Sequence, residues 1–353
     1  MISQSTNRIH YLDSMRGIAA IMVVFYHFIS WNYADDIKFK LSAFVFNGSD
    51  AVSFFFVLSG LVLSLGLKRN IDSLNIWKYT YKRIFRLYPA YVVTVLLNYL
   101  YANRSNLNLG IIKDVFWNNS QNLWQELTML RANHNFYVPG WTLENEMALS
   151  LLMPFIVLAA VRNINWVYFI ALLGFIMPSQ ISIFIFHFAI GSIIGIHFDA
   201  IRNFDFKKSR WYSYRYLILI ITILLFSVRH IERISAFGPF YYKVMEYLRI
   251  DIFHYTGLAS AVILMFVINN VKAQNLLNNK VFRFLGDISY SVYLCHWMIV
   301  VFIMNNWQLF LSYFPNFYLG FFSLMFICLL VTLLLSYFMY KYIELPFIRF
   351  AKK

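Results

Sequence analysis

The sequence is short of charged residues, of cysteine and of long polar stretches. Only 13% of its 353 residues are Asp, Glu, Lys or Arg, about half the share found in a soluble globular domain. No polar block is long enough to fold as a separate soluble domain, so we treat residues 1–353 as one membrane domain. The two cysteines, Cys295 and Cys328, fall within apolar segments, which argues against a disulfide or metal framework.

Apolar residues, in contrast, make up 60% of the chain. Apolar runs of roughly 20 residues are typical of transmembrane helices. The sequence therefore predicts an all-α integral membrane protein, a bundle of about ten transmembrane helices. The approximate cores of these segments are 17–33, 51–67, 87–102, 147–161, 164–178, 181–198, 216–228, 253–269, 288–304 and 319–340.

The distribution of basic residues predicts the orientation of this bundle. If the ten segments alternate across the membrane, 21 of the 30 Lys and Arg residues fall on the side that holds both termini. Cytosolic loops carry such an excess, so we expect both the N- and the C-terminus in the cytosol. The net charge of +14 then reflects cationic loops on the cytosolic side, a surface that suits an anionic cytosolic ligand or is the ordinary positive-inside bias with no ligand, and we expect no nucleic-acid partner.

Arg16 directly precedes the first apolar segment, and His27 lies within it. Eleven residues are about three helical turns, so the two side chains lie on nearly the same face, about 16 Å apart along the axis. His27 is thereby placed near the middle of the membrane, where a histidine is costly unless it has a partner or meets water. A catalytic role and a structural role, as a neutral histidine bonded between helices, both stay open. Asp13 precedes Arg16 by three residues and is predicted to pair with it.

A basic cluster lies just before the third apolar segment, in a predicted cytosolic loop. Arg83 and Arg86 are three residues apart and project from one side of a helical turn. Two guanidinium groups held in this way can bind a phosphate by bidentate hydrogen bonds, with Lys82 beside them. Ordinary anchoring at lipid headgroups explains the same cluster equally well.

The predicted outer loop ends in polar residues at the start of the fourth segment. Thr142 is a predicted helix N-cap, and Glu144 and Glu146 favour the positive end of a helix. These structural roles explain the presence of all three residues without any catalytic function. Glu146 is also the last polar residue before an apolar core, a position that suits acid–base catalysis.

The ninth segment carries a polar stripe, because Ser289, Tyr293 and His296 follow one another at helical spacing. If that helix begins near residue 288, His296 lies about 13 Å from its start, at a depth comparable with that of His27. A packing histidine bonded to a tyrosine is the structural alternative.

Six short motifs in these regions resemble the acyltransferase 3 family of membrane acyltransferases. They follow the family's order along nearly the whole chain, with Thr142 where serine is usual and Ser14-Met15 where glycine and leucine are common. The motifs are Leu12-Asp13-x-x-Arg16-Gly17 leading to His27, Phe55-Phe56-Val57-Leu58-Ser59-Gly60, Arg83-x-x-Arg86 followed by Tyr88-Pro89, Trp141-Thr142-Leu143-x-x-Glu146, Tyr290-x-x-Tyr293-Leu294-x-His296 and Ile343-Glu344-x-Pro346.

The resemblance implies an O-acyltransferase of the bacterial cytoplasmic (inner) membrane. Such an enzyme moves an acyl group, commonly acetyl, from cytosolic acetyl-CoA to a hydroxyl of an extracytoplasmic or lipid-linked glycan, and no metal is expected. Some relatives carry a C-terminal periplasmic domain, and this sequence ends at Lys353. We therefore expect direct delivery or a separate periplasmic partner. The acceptor glycan, and the choice between acetyl, succinyl and other acyl groups, stay open.

Ten residues form the predicted site. The predicted catalytic residues are His27 (general base or transient acyl carrier), Arg16, Asp13 and Glu146. The predicted donor-binding residues are Arg83, Arg86 and Lys82, and the predicted acceptor-binding residues are Trp141, Tyr293 and His296. The main alternative is a transporter of glycan or acyl intermediates, since intramembrane charges also serve transport without chemistry. A receptor or scaffold for cell-envelope polymers is a third.

Overall fold

A computed structural model of the chain describes residues 8–33, 47–104, 120–129, 134–177, 179–227, 243 and 252–352. Nearly all regular structure in these residues is helical, and no β-strand occurs among them. The all-α prediction is confirmed.

The α-helices of the described residues are, in chain order, α1 (His10–Tyr33), α2 (Gly48–Arg69), α3 (Ile76–Ala102), α4 (Ser120–Thr128), α5 (Gly140–Arg162), α6 (Asn165–Ile176), α7 (Gln180–Ile196), α8 (Phe198–Asn203), α9 (Arg215–Phe226), α10 (Ile252–Asn269), α11 (Val271–Leu277), α12 (Lys280–Asn305), α13 (Trp307–Ser312), α14 (Phe317–Met339) and α15 (Leu345–Phe350). A π-helical turn, Tyr340–Glu344, joins α14 to α15.

Each of the ten predicted segments contains a helix, but fewer than ten of these helices qualify as membrane spans. Within the described ranges, five helices are long and apolar enough to cross a membrane: His10–Trp31, Gly48–Arg69, Gly140–Arg162, Lys280–Asn305 and Phe317–Phe350. Helices α10 and α11 are bent by 95° and make a sixth if they form one broken span. Ten spans and cytosolic termini therefore remain predictions.

Helices α3 and α12 begin earlier than the predicted apolar cores, at Ile76 and Lys280 rather than near residues 87 and 288. Asn75 caps α3, its side chain accepting from the backbone N–H of Lys78, so the basic cluster lies on a helix rather than in a loop. Asn279 caps α12 in the same way. His296 is consequently 16 residues, or about 24 Å, from the start of its helix rather than about 13 Å.

Helices α1 and α12 approach each other closely at two glycines. A Cβ on Gly17 would lie 2.6 Å from the carbonyl carbon of Leu285, and a Cβ on Gly286 would lie 2.6 Å from that of Asp13. Any larger side chain at either glycine would push the backbones apart. Further along, His27 of α1 lies against His296 of α12, so the two helices run parallel.

This parallel pair limits how the chain crosses the membrane. Helices that alternate in direction run parallel only when an odd number of crossings separates them. Counting the five qualifying helices alone leaves two between α1 and α12, which would make the pair antiparallel. At least one more crossing must lie between them, as in the six-span and ten-span arrangements.

The start of α5 lies inside the bundle rather than at its surface. Tyr137 is fully buried, and its hydroxyl donates to the backbone carbonyl of Tyr293 on α12 (2.8 Å). The hydroxyls of Thr142 and Tyr293 lie 2.6 Å apart. Thr142 is not an N-cap as predicted, because α5 begins at Gly140 and the Thr142 hydroxyl donates to the carbonyl of Pro139 (2.9 Å).

A buried carboxylate fixes the segment that leads into α5. Glu126 on α4 accepts hydrogen bonds from the backbone N–H groups of Phe136 (3.1 Å) and Tyr137 (2.6 Å). Burial raises the pKa of Glu126, and these hydrogen bonds offset only part of that increase. The hydroxyl of Tyr91 on α3 donates to the backbone carbonyl of Glu126 (2.7 Å), which ties the segment to the bundle.

Candidate active site

Five helices, α1, α2, α3, α5 and α12, line one cavity that opens to solvent. Its volume, including the open mouth, is about 600 Å³. Five of the ten predicted site residues line it: Arg16, Arg83, Arg86, Glu146 and Tyr293. The predicted site residues from four separate parts of the sequence therefore meet.

Three arginines give this cavity its charge. Arg16 is oriented by Asp13, whose Oδ1 lies 3.6 Å from Arg16 Nη1, so the predicted pair is confirmed. Arg8 also binds the Asp13 carboxylate (2.6 Å) and links it to Asp287 (2.7 Å). Arg86 is exposed. The accessible guanidinium groups suit an anionic ligand.

The third arginine, Arg83, forms a buried ion pair with Glu146. Arg83 Nη2 lies 2.7 Å from Glu146 Oε1, and the side chains are 8% and 22% exposed. Ser59 on α2 also donates to this carboxylate oxygen (3.3 Å). The sequence interpretation places Arg83 and Glu146 on opposite sides of the membrane; this is wrong, because α5 begins inside the bundle. Arg83 Nε is buried with no hydrogen-bond partner among the described residues.

His296 lies one helical turn beyond the cavity residue Tyr293 and is fully buried. Its Nδ1 lies 2.6 Å from the Tyr293 backbone carbonyl. A carbonyl can only accept, so Nδ1 carries the proton, and in the neutral ring Nε2 is left as an acceptor. That Nε2 has no partner within the part of the chain that the structure describes. The predicted bond of this histidine to a tyrosine thus involves the tyrosine's backbone, not its hydroxyl.

His27 stacks on His296, and neither histidine is among the residues that line the cavity. The ring centroids are 5.3 Å apart and the planes 26° from parallel. Trp297 packs edge-on against His27 at 5.2 Å. His27 is partly exposed, unlike His296. The two histidines that the sequence places at membrane depth therefore form one pair. Tyr293 connects this pair to the cavity, because it lines the cavity and its ring lies 5.5 Å from that of His296.

Two predicted site residues lie outside this arrangement. Lys82 is exposed on α3 and is not among the cavity-lining residues. Trp141 does not line the cavity either, and its ring packs at 5.7 Å against Phe184 of α7. Trp141 therefore lies outside the cavity that Glu146, five residues further along α5, lines.

Sequence reasoning assigned no role to Glu344, which the structure places beside the site. Its side chain is buried in the π-helical turn, and its Oε2 accepts from Ser291 of α12 (2.9 Å). Tyr290 lines the cavity and donates to the carbonyl of Leu87 on α3 (2.7 Å). A carboxylate within an apolar segment was the available signal for Glu344.

Within the described residues, no group of three or more His, Cys, Asp or Glu side chains is placed to hold a metal ion. Cys295 and Cys328 are buried free thiols.

Comparison with models of protein families identifies the family to which the chain belongs. The model of the acyltransferase 3 family (Acyl_transf_3, acyltransferase domain) matches residues 9–341. The chain belongs to this acyltransferase family. The match covers the cavity, both histidines and nearly the whole chain, so the resemblance of the six motifs is confirmed. Comparison with curated proteins and with solved structures gives no significant match.

Proposed function

We propose that this membrane acyltransferase moves an acyl group, in the simplest case acetyl, from acyl-CoA to a hydroxyl of an extracytoplasmic or lipid-linked glycan. One observation carries the proposal: Tyr293 lines a cavity with three arginines, and its ring packs against His296, which stacks on His27. Positive charge for an anionic donor thus lies close to a base for a hydroxyl acceptor.

The donor would enter the arginine-lined cavity. Arg86 is exposed and Arg16 is held by Asp13, so both can bind anionic groups of acyl-CoA. Arg83 would orient the donor through its free Nε while Glu146 fixes the rest of its guanidinium group. In this proposal Glu146 anchors Arg83 rather than transferring protons. The narrow pantetheine arm would then carry the thioester toward His27.

The chemistry would take place at His27. The imidazole removes the proton from the acceptor hydroxyl as its oxygen attacks the thioester carbonyl. The new C–O bond forms, the C–S bond breaks, and the CoA sulfur leaves with the proton held by His27. Arg16 lies about 16 Å from His27 along α1, too far to contact the same reacting atoms. Its role would therefore be to hold the donor, not to stabilise the developing oxyanion.

The test is acyl transfer by purified protein from labelled acetyl-CoA to alkali-treated surface glycan of the producing cells, in which ester-linked acyl groups have been removed. His27→Ala should reduce transfer about 100-fold or more, the usual contribution of a general base. The matched control is His197→Ala, because His197 is also partly exposed but binds Tyr168 outside the cavity. Full activity of His27→Ala would end the proposal. A transporter would leave the labelled acetyl-CoA unconsumed.

A further inference from the structure

Three aromatic rings form a row from the surface to His27. Trp31, at the end of the first candidate span, is 45% exposed. Its ring centroid lies 5.4 Å from that of Trp297, which is 9% exposed. Trp297 in turn packs edge-on against His27 at 5.2 Å. The row therefore ends on the residue proposed as the base.

This row lies on the other side of His27 from the arginine cavity. Arg16 lines the cavity, His27 follows about 16 Å further along α1, and Trp31 lies one turn beyond His27 on the same helical face. A donor that fills the cavity would approach His27 from the Arg16 side. Reacting atoms must come within about 3–3.5 Å of each other, so the acceptor hydroxyl has to reach His27 from the Trp31 side.

We propose that Trp31 and Trp297 form a saccharide-binding subsite that holds the acceptor with one hydroxyl at His27. Aromatic faces carry negative charge in their π-systems, and the C–H groups on one face of a sugar ring are complementary to them. Indole N–H groups can bind the hydroxyls at the edge of the ring. This inference rests on the proposed function and replaces Trp141 as the acceptor-binding tryptophan.

An exposed tryptophan at the end of a span also occurs in the aromatic belt of membrane proteins. A belt residue contacts lipid and has no specific connection to the catalytic base. Trp31 differs because it packs on Trp297, and Trp297 packs on His27. A suitable belt-type control is Trp166 at the start of α6, which is 54% exposed and packs on Phe169.

The experiment measures glycan binding in the absence of acyl-CoA, so that it does not depend on catalysis. One arm uses the alkali-treated surface polysaccharide of the producing cells, and the other uses lipid-linked saccharide extracted from their membranes. Affinity is measured for the full-length protein in detergent. Trp31→Ala should weaken binding about tenfold or more in the arm that contains the acceptor. Trp31→Tyr should retain most of the affinity, and Trp166→Ala should bind like the wild type.

The outcomes separate this inference from the proposed function. Equal affinity of Trp31→Ala and wild type, or equal weakening by Trp166→Ala, would overturn the subsite. Absence of glycan binding in both arms would overturn it as well. Acyl transfer that fails while Trp31-dependent binding persists would instead overturn the proposed function. The arm in which Trp31 matters identifies the acceptor as a free or a lipid-linked saccharide.

Discussion

The ion pair between Arg83 and Glu146 supplies the sharpest test of the site's geometry. Removing one partner of a fully buried pair costs about 3–5 kcal/mol, because the other charge is left uncompensated. Glu146 is 22% exposed and the cavity is open, so water can partly solvate Arg83. We therefore expect Glu146→Ala to lower the free energy of unfolding by about 1–3 kcal/mol.

The assay is a double-mutant cycle read by thermal unfolding in detergent. At about 1–2 °C per kcal/mol for a chain of 353 residues, Glu146→Ala should lower Tm by roughly 1–6 °C. Arg83→Ala should have a comparable effect, and the double variant should lose much less than the sum. The matched control is Glu144→Ala, which removes a carboxylate two residues away that pairs with His134 outside the cavity. Strict additivity, with coupling below about 0.5 kcal/mol, would refute the pair.

Two further predictions follow from the helix contact and from the buried carboxylate. Gly286→Ala places a Cβ 2.6 Å from the Asp13 carbonyl carbon, so α1 must move. Acyl transfer should then fall up to about 100-fold, the loss that a misplacement of 1 Å can cause. The control is Gly66→Ala, because a Cβ there meets nothing within 4 Å, and equal activities of the two variants would contradict the contact at Gly286. The pKa of Glu126 in the folded protein is raised above its usual value of 4.5, so the folded protein binds the carboxyl proton more tightly than the unfolded chain does. Proton binding by Glu126 therefore stabilises the fold at low pH, and this stabilisation is lost as the pH rises from 4.5 through the raised pKa. Glu126→Gln should flatten this part of the profile of Tm against pH, and a profile unchanged from wild type would contradict it.

The apolar runs of the sequence predict the helices themselves well, because a run of some 20 apolar residues has few alternatives to a helix in lipid. Hydropathy failed at the starts of α3 and α12. Their first turns carry Lys and Arg at exposed positions, which lower the mean hydropathy of the window without weakening the helix. The asparagine caps, Asn75 and Asn279, were the local signals for the true starts.

Half of the predicted site residues share one cavity, but the sequence did not predict how they are arranged in it. Arg16, Arg83, Arg86, Glu146 and Tyr293 all line one cavity. Their contacts depend on the depth of the start of α5, and hydropathy carries no information on how deep a polar segment lies. For the same reason nothing in the sequence connected Trp31 with Trp297, which lies far along the chain and meets it only because α1 and α12 run parallel.

Because α1 and α12 run parallel, one displacement between these two helices should disrupt several contacts of the site together. Helix α1 carries Arg16, His27 and Trp31 in order, and α12 supplies His296 and Trp297 against the last two. A slip of one turn, about 5.4 Å, would separate the histidines and the tryptophans at once. The contact at Gly286 holds this register at one end of the pair. Gly286→Ala should consequently reduce both acyl transfer and Trp31-dependent glycan binding, whereas His27→Ala should reduce transfer alone.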